Sequence, residues 1–257
     1  MRFELYYPDW KEKAVTFSYD DGQIYDRHLV ELFNYYGLKG TFHLNSGILG
    51  KKGFVSPEEA GELYKGHEIA CHGKEHHYPT HLCRELLFKE FYEDKISLEK
   101  ITGGFVRGCS YAFGEYNEQV IKLLEVLGIV YSRTVKSTGT FSVPADFMQW
   151  NPTCHHNDAF NGEIIQRFLY QPEYQKLPLL YIWGHSFEFE REKTWDKMEK
   201  LCEKISKDEK VWYTTNIDYA EYMKAAKSLV FSLSGEQVKN LSKIPVYVKI
   251  DGTPQIL

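Results

Sequence analysis

Short apolar runs alternate with amphipathic segments along most of this chain, and this alternation limits the folds that it can adopt. The runs are rich in β-branched and aromatic residues, which predicts strands, and the segments between them carry apolar residues at helical spacing. The predicted strands cover residues 14–18, 40–45, 67–72, 105–109, 129–132, 179–183 and 211–213. The predicted helices cover residues 26–36, 57–65, 82–101, 118–127, 194–206 and 219–227. Repeated strand–helix units predict an α/β fold with a parallel sheet and outer helices, and about seven of them predict a barrel, complete or incomplete.

The last part of the chain departs from this alternation. Residues 229–233 and 246–250 are strand-like, and no helix is predicted after either of them. We therefore predict a barrel domain over residues 1–228 and a C-terminal β-strand extension over residues 229–257 that packs on the barrel. Within the barrel domain, residues 138–161 have few periodic features and contain two prolines, which predicts a long loop.

The composition excludes several classes of partner. The chain has 257 residues, a formal net charge of -5 and no basic run, so we expect neither nucleic acid nor an anionic membrane as a partner. No apolar targeting segment and no run long enough to span a bilayer is present, and we therefore expect a cytoplasmic protein. The five cysteines are odd in number and irregularly spaced, which argues against a disulfide framework. The oligomeric state is not predicted.

Two adjacent carboxylates, Asp20 and Asp21, follow the first predicted strand and precede Gly22. An Asp-Asp-Gly triplet is most often a turn when it stands alone. At contact distance, however, the two charges repel, so one of them must be neutralised or bound by a cation.

Two histidines four residues apart, His72 and His76, follow the third predicted strand. Paired histidines are often surface residues, and His77 competes with His76 as the second member of the pair, with His81 close by. Together with Asp21, the pair supplies one carboxylate and two imidazoles. Catalytic zinc sites typically have three such protein ligands and an open position for water.

All these residues, with Arg107 and His185, are predicted at or just past strand ends, where the chemistry of parallel barrels collects. Asp20 then takes a proton from water as the general base, and Arg107 pairs with Asp20 and keeps it ionised. His185 comes from a distant strand and protonates a leaving amine. Singly, Arg107 also fits a structural ion pair and His185 a strand cap. Taken together, the residues predict metal-assisted hydrolysis of an amide or ester.

The order of these motifs resembles the polysaccharide deacetylases, carbohydrate esterase family four. The segment Ser18–Gly22 is similar to the family's T-F-D-D-G, and the segment from Gly66 to His76 is similar to its G-H-E-I-x-x-H and H-(S/T)-x-x-H patterns. The chain departs at Gly73, where relatives have a hydroxyl residue that stabilises the loop. That hydrogen bond must here be absent or supplied elsewhere.

The later motifs are similar but not identical. Arg107 to Tyr111 resembles the family's R-x-P-Y with one more residue before the tyrosine, and in relatives a backbone N–H near that tyrosine helps hold the oxyanion. Ile182 to His185 resembles Leu-x-His and implies that His185 is the general acid. Trp150 either lines the pocket or packs under the long loop, and Tyr111 and Trp150 are the candidate substrate-binding residues. The carboxylate partner of His185 stays open among Asp146, Asp158 and Glu188.

The resemblance covers about residues 12–225 and implies a distorted (β/α)7 barrel, a divalent metal ion and removal of acetyl groups from a carbohydrate. The metal ligands are then Asp21, His72 and His76, and zinc is the expected ion, although cobalt, nickel or iron suits the same set. The expected partner is an acetylated carbohydrate, with N- or O-deacetylation open. Two alternatives remain: a hydrolase of small non-sugar amides on the same fold, and a non-catalytic sugar-binding relative.

Overall fold

In the computed structural model, which describes residues 2–170 and 175–257, a curled parallel sheet forms the centre of the molecule. In chain order its strands are β2 (Lys13–Asp21), β3 (Gly40–Leu44), β4 (Glu68–Cys71), β5 (Gly108–Ser110), β6 (Tyr131–Arg133), β7 (Cys154–His155), β8 (Leu179–Gly184) and β9 (Val211–Tyr213). Across the sheet they lie in the order β6-β5-β4-β3-β2-β8-β7, and β9 pairs with β2. All these pairs are parallel. The predicted fold class, a distorted (β/α)7 barrel, is confirmed.

Helices connect most of the strands, as the alternation in the sequence predicts. They are α1 (Asp26–Tyr36), α2 (Pro57–Leu63), α3 (Arg84–Thr102), α4 (Glu118–Val126), α5 (His156–Ala159), α6 (Glu163–Leu169), α7 (Ser186–Glu192), α8 (Trp195–Ile205) and α9 (Asn216–Lys227). Several ends follow local sequence signals. Ser56 caps α2 by accepting from the backbone N–H of Glu59, and Gly37 ends α1 in the left-handed conformation.

The central strand β2 is buried from Ala14 to Asp20, because β3 and β8 pair with it on its two sides and helices cover the parallel sheet. Aromatic side chains on β2 and β3 pack the sheet against the helices. The ring of Phe17 lies 4.8 Å from that of Phe33 on α1, and Phe42 on β3 packs against Tyr64 at 4.6 Å. This packing fixes β2, and with it the carboxylates at its end.

A second, antiparallel sheet combines both ends of the described chain. The strand β1 (Phe3–Leu5) pairs with β12 (Tyr247–Ile250), which pairs in turn with β13 (Thr253–Ile256). A short hairpin of β10 (Val230–Phe231) and β11 (Val238–Lys239) completes the C-terminal strands. The C-terminal residues therefore form β structure as predicted, but their sheet also takes in a strand from the start of the chain.

Residues 138–161 are not the structureless loop that was predicted. They include β7 and α5, which together contain His155 and His156. A two-residue strand has no periodicity to reveal it. No helix in the described part of the chain is both long and apolar enough to traverse a lipid bilayer.

Candidate active site

Three predicted ligands converge at the carboxyl edge of the sheet. Asp21 ends β2, His72 directly follows β4, and His76 lies in the loop after it. Oδ1 of Asp21 lies 3.8 Å from Nε2 of His72 and 3.7 Å from Nε2 of His76, and the three ligand atoms are all within 4.8 Å of one another. Ligands about 2.1 Å from a tetrahedral zinc ion are roughly 3.4 Å apart, so the set is close to the spacing that such an ion needs.

The backbone turns sharply to bring these ligands together. Asp21 and His76 both have positive φ angles, 82° and 58°, which side-chain-bearing residues seldom adopt. Gly22 continues the turn at φ 71°, and a Cβ there would lie 2.9 Å from the side chain of Leu44. Left-handed residues of this kind cluster where function requires a particular side-chain direction.

The surroundings of the three ligands fit a cation. Among the described residues, Oδ1 of Asp21 is buried without a hydrogen-bond partner. Burial raises the pKa of Asp21, with a further contribution from Asp20, while His185 and His76 oppose the rise. Burial also lowers the pKa of His72 to about 3, which keeps its imidazole neutral. A buried carboxylate without a partner beside a neutral imidazole is the donor set that a divalent ion stabilises.

Ser110 sets the orientation of His72. Nδ1 of His72 lies 3.0 Å from the carbonyl oxygen of Ser110. Because a carbonyl only accepts, Nδ1 carries the proton, and Nε2 presents its lone pair toward Asp21. Such outer hydrogen bonds commonly fix the ring of a metal-binding histidine.

Glu90 on α3 holds the loop at which the chain departs from its relatives. Its Oε1 accepts from the backbone N–H groups of Glu75 (3.0 Å) and His77 (3.2 Å). A Cβ at Gly73 would lie only 2.8 Å from that oxygen, so glycine leaves the space that the glutamate fills. His77 bonds to Oε2 of Glu90 through Nδ1 and is half exposed, so His76 rather than His77 faces Asp21.

Asp20 is buried and pairs with Arg133, which ends β6. Ser110 donates to Oδ1 of Asp20 at 3.2 Å, and Nδ1 of His43 lies 3.3 Å from the same oxygen. Burial alone raises the pKa of Asp20, but the charge of Arg133, the imidazole of His72 and the hydrogen bond to His43 lower it well below its usual value. Asp20 is therefore an anion at neutral pH.

The predicted pairing of Asp20 with Arg107 is wrong. Arg107 precedes β5, so it lies at the amino end of the sheet, where it pairs with Glu221 of α9 on the protein surface. Arg133 takes its place because it is at the carboxyl end of its strand. Nε of Arg133 also donates to Ser18 (3.0 Å), and its guanidinium lies 4.5 Å from the ring of Trp183.

His185 follows β8 and lies beside Glu188, one turn along on α7. Nδ1 of His185 is 3.5 Å from Oε2 of Glu188, and the backbone N–H of His185 donates to the same oxygen at 3.2 Å. Burial lowers the pKa of His185, but Glu188, Asp20 and Asp21 outweigh it and raise the pKa overall. Among the three carboxylates left open by the sequence, Glu188 is thus the neighbour of His185.

Neither predicted substrate-binding ring faces the site. Tyr111 is fully buried and donates its hydroxyl to the carbonyl of Met148, while its backbone N–H donates to Arg133 at 3.0 Å. That N–H is therefore engaged rather than available for an oxyanion. Trp150 is 1% exposed and packs against Tyr181 and Tyr219 in the core. The prediction that these two rings contact substrate is corrected, because other side chains cover both.

The family model for polysaccharide deacetylases matches residues 8–132, which include the Asp-Asp pair and both histidines. The resemblance to the polysaccharide deacetylases is confirmed. A search of curated proteins finds no match.

Solved structures resemble this deacetylase-like chain in fold. A protein from Mycobacterium smegmatis classed with the polysaccharide deacetylases superposes with a TM-score of 0.64 at 18% identity, over 86% of this chain and 93% of that one. Puue allantoinase gives a TM-score of 0.64 at 14% identity, over 84% and 91%. A pseudoenzyme of carbohydrate esterase family four from Bacillus anthracis gives 0.52 at 16%, over 83% and 66%.

Identities this low show the fold alone. The match spans 55% of the Streptococcus pyogenes deacetylase PplD and 44% of a polysaccharide deacetylase from Bacillus cereus, about half the length of each.

Sequence reasoning missed Arg133, His155 and His156 as residues of the deacetylase-like site. Arg133 had a usable signal, because a basic residue directly follows the small and aromatic residues of a predicted strand. His155 and His156 also stand next to each other, in the stretch that was predicted to be a loop. Nε2 of His155 lies 3.0 Å from Oε2 of Glu188, and Nε2 of His156 lies 3.5 Å from it.

Proposed function

We propose that this chain is a divalent-metal-dependent hydrolase that removes acetyl groups from an acetylated carbohydrate. Membership of the matched region in the deacetylase family supports the reaction class. The observation that carries the proposal is the convergence of Asp21, His72 and His76 within 4.8 Å, with Oδ1 of Asp21 buried and lacking a partner among the described residues.

Asp21, His72 and His76 would hold the ion, and the ion, when bound, would supply Lewis acidity toward the acetyl carbonyl and lower the pKa of water. The orientation of His72 by Ser110 keeps the lone pair of Nε2 free for this role. The proposed metal is zinc, with cobalt, nickel and iron as alternatives for the same donors.

Asp20 is the proposed general base. Its carboxylate is ionised and held by Arg133, Ser110 and His43, so it is oriented before a substrate arrives. Its buried position next to Asp21 brings it close to the reacting water. When Asp20 accepts the proton of that water, Arg133 remains paired with the carboxyl group and limits its movement.

His185 is the proposed general acid. Glu188 lies on the Nδ1 side of the ring, which leaves Nε2 to deliver a proton to the leaving nitrogen or oxygen. The raised pKa of His185 favours the protonated ring that this step requires. Base and acid thus come from β2 and from the residue after β8, on strands that pair directly.

Two tests separate this function from its alternatives. The chain is stripped of metal, reloaded with one equivalent of zinc and assayed for acetate release from acetylated chitooligosaccharides and acetylated xylan, with allantoin as a non-sugar amide. We expect acetate release that depends on zinc. Hydrolysis of allantoin alone would favour a small-amide hydrolase, the activity named for the allantoinase of similar fold.

Asp20→Asn tests the base directly. We expect a loss of about 10²-fold or more in turnover while one zinc ion is still bound per chain. Asp196→Asn, an exposed carboxylate on α8, is the matched control and should keep full activity. Full activity of Asp20→Asn, or activity that survives complete removal of metal, contradicts the proposal. Metal binding without turnover of any of these substrates would favour a non-catalytic relative.

A further inference from the structure

A second group of metal-ligating side chains lies around Glu188. Oε2 of Glu188 is 3.0 Å from Nε2 of His155 and 3.5 Å from Nδ1 of His185, and the three atoms lie within 4.8 Å of one another. These separations span the roughly 3.4 Å expected between ligands of a tetrahedral zinc ion. Two imidazoles and one glutamate are also the donor set of a known class of zinc site.

The group is held in place before any ion binds. His155 ends β7 and His185 follows β8, and these two strands pair with each other. Glu188 is in the first turn of α7, where its side chain caps the backbone N–H of His185. The side chains of His155, His185 and Glu188 are largely buried, with exposed fractions of 20%, 24% and 13%. A cation that binds there loses water but contacts ligands that are already held in place.

Three histidine ring nitrogens in and beside this group have no hydrogen-bond partner in the part of the chain that the structure describes. Among the described residues, Nδ1 of His185 and both ring nitrogens of the fully buried His156 make no hydrogen bond. Nε2 of His156 lies 3.5 Å from the same glutamate oxygen and is a further donor at the edge of the group. Buried imidazole nitrogens without partners next to a carboxylate are unusual unless a ligand satisfies them.

We propose that His155, His185 and Glu188 form a second divalent-cation site, and that a cation bound there inhibits the enzyme. The inhibition rests on the proposed function, but the binding does not. On binding, the proton on Nε2 of His155 moves to Nδ1, which gives up a 3.3 Å contact with the backbone N–H of Asn157. A proton on Nδ1 of His185 is released to solvent, and the cation takes its place.

Inhibition follows from the chemistry of the His185 ring. With a cation on Nδ1, the ring is neutral and keeps its proton on Nε2. Release of that proton would leave an imidazolate anion, so the ring no longer serves as a general acid at ordinary pH. The first cation would therefore support the reaction and the second would stop it.

Arg191 opposes the second cation. Its Nη2 lies 3.5 Å from Oε1 of Glu188, and its side chain is 58% exposed. Removing this charge should strengthen binding at the second site, since a like charge at short range raises the cost of binding a cation.

The test counts ions and needs no substrate. The metal-free chain is dialysed against zinc chloride at rising concentrations, and bound zinc is measured per chain. We expect two ions in the wild type, and one in His155→Asn, which keeps a residue able to cap α5. Glu188→Gln should also bind one ion, and Arg191→Gln should bind the second ion at a lower zinc concentration. His28→Asn, an exposed histidine elsewhere, should still bind two.

Activity is compared within each variant, as the rate with excess zinc divided by the rate with one equivalent. In the wild type this ratio should be about one tenth, because the second cation removes the general acid. In His155→Asn the ratio should stay near one. A wild type that binds one ion, or a His155→Asn variant that still binds two, overturns the second site. Two ions without activity on any acetylated substrate supports the site and overturns the proposed function. Two ions with undiminished activity overturns the inhibition.

Discussion

The guanidinium of Arg133 contacts the carboxylate of Asp20 although their strands, β6 and β2, have three other strands between them in the sheet. Such a contact requires the sheet to curl until the ends of distant strands face each other. Both side chains are almost fully buried, so each charge relies on the other. This pair therefore couples the shape of the barrel to the state of the proposed base.

Replacing Arg133 should damage both stability and activity. We expect Arg133→Gln to lower the free energy of unfolding by about 3–5 kcal/mol, because it leaves the buried charge of Asp20 without its partner. Activity per folded, zinc-loaded chain should fall by about 10²-fold or more as the base loses its orientation. Urea unfolding and acetate release measure the two effects.

The matched control is Arg107→Gln. Its partner Glu221 lies on the surface, and exposed ion pairs contribute less than about 1 kcal/mol. Activity should remain within about twofold of the wild type. Equal effects of the two substitutions on activity would contradict the role assigned to Arg133.

Glu90 should matter for metal affinity without touching the metal. We expect Glu90→Ala to weaken zinc binding by about 10-fold or more, because the loop carrying His76 loses its two backbone hydrogen bonds. Zinc titration monitored by calorimetry measures the change. Glu93→Ala, on the same helix, removes a surface pair with Lys74 and should leave the affinity unchanged. Unchanged affinity in both variants would show that the loop holds its shape without Glu90.

Glu68 should make stability depend on pH. It is buried at the start of β4 and accepts from Tyr131 (2.7 Å) and Thr41 (2.8 Å), and burial raises its pKa from 4.5 to about 7. The folded state therefore binds the proton more tightly than the unfolded state does. The stability from this group is fully present below pH 4.5 and is lost as the pH rises through about 7.

The comparison that isolates this effect uses Glu68→Gln, which stays neutral. Between pH 4.5 and 7 the wild type should lose roughly 3 kcal/mol relative to this variant. Urea unfolding at pH 5 and pH 8 gives the difference at each pH. Glu62→Gln, exposed on α2, should show no such trend. A constant difference between Glu68→Gln and the wild type at the two pH values would refute the assignment.

Gly184 should tolerate no side chain. A Cβ there would collide with Nδ1 of His156 and lie 3.2 Å from Nε2 of His155. The ring of His156 in turn packs against Phe189. We expect Gly184→Ala to destabilise the fold by about 1–3 kcal/mol and to lower kcat, since His185 is the next residue. Thermal unfolding and acetate release report both effects.

Gly104→Ala provides the comparison, because no described residue lies within 4 Å of the added carbon. It should change the free energy of unfolding by no more than about 0.5 kcal/mol. If Gly184→Ala behaved in the same way, the histidine cluster would be looser than the structure indicates.

The alternation of strands and helices was predictable from the sequence because each element carries its own periodicity. The convergence of Asp21, His72 and His76 was predictable too, since they lie at or after the ends of strands whose carboxyl ends must meet at one edge. The ion pair between Asp20 and Arg133 was not predictable in this way. The predicted strand 105–109 begins three residues before the observed β5, so Arg107, predicted near the carboxyl end of its strand, in fact precedes β5.

Other features depend on contacts between distant parts of the chain. The two residues of β7 are a strand only because β8 lies beside them, so no local pattern marks His155. The ring of Trp150 is of a type that can stack on a sugar, but it is buried here because Tyr181 and Tyr219, from later elements, pack against it. A sequence pattern identifies which residues are available, and the packing decides which way they face.

The pairing of β1 with β12 has a consequence for biosynthesis. Phe3 is opposite Ile250, so β1 is synthesised well before the strand with which it pairs. Until β12 has been synthesised, Phe3–Leu5 has an edge without this partner, which is a hazard for association between nascent chains. Docking of these two strands must therefore await β12, and a chain arrested before β12 would keep that edge exposed.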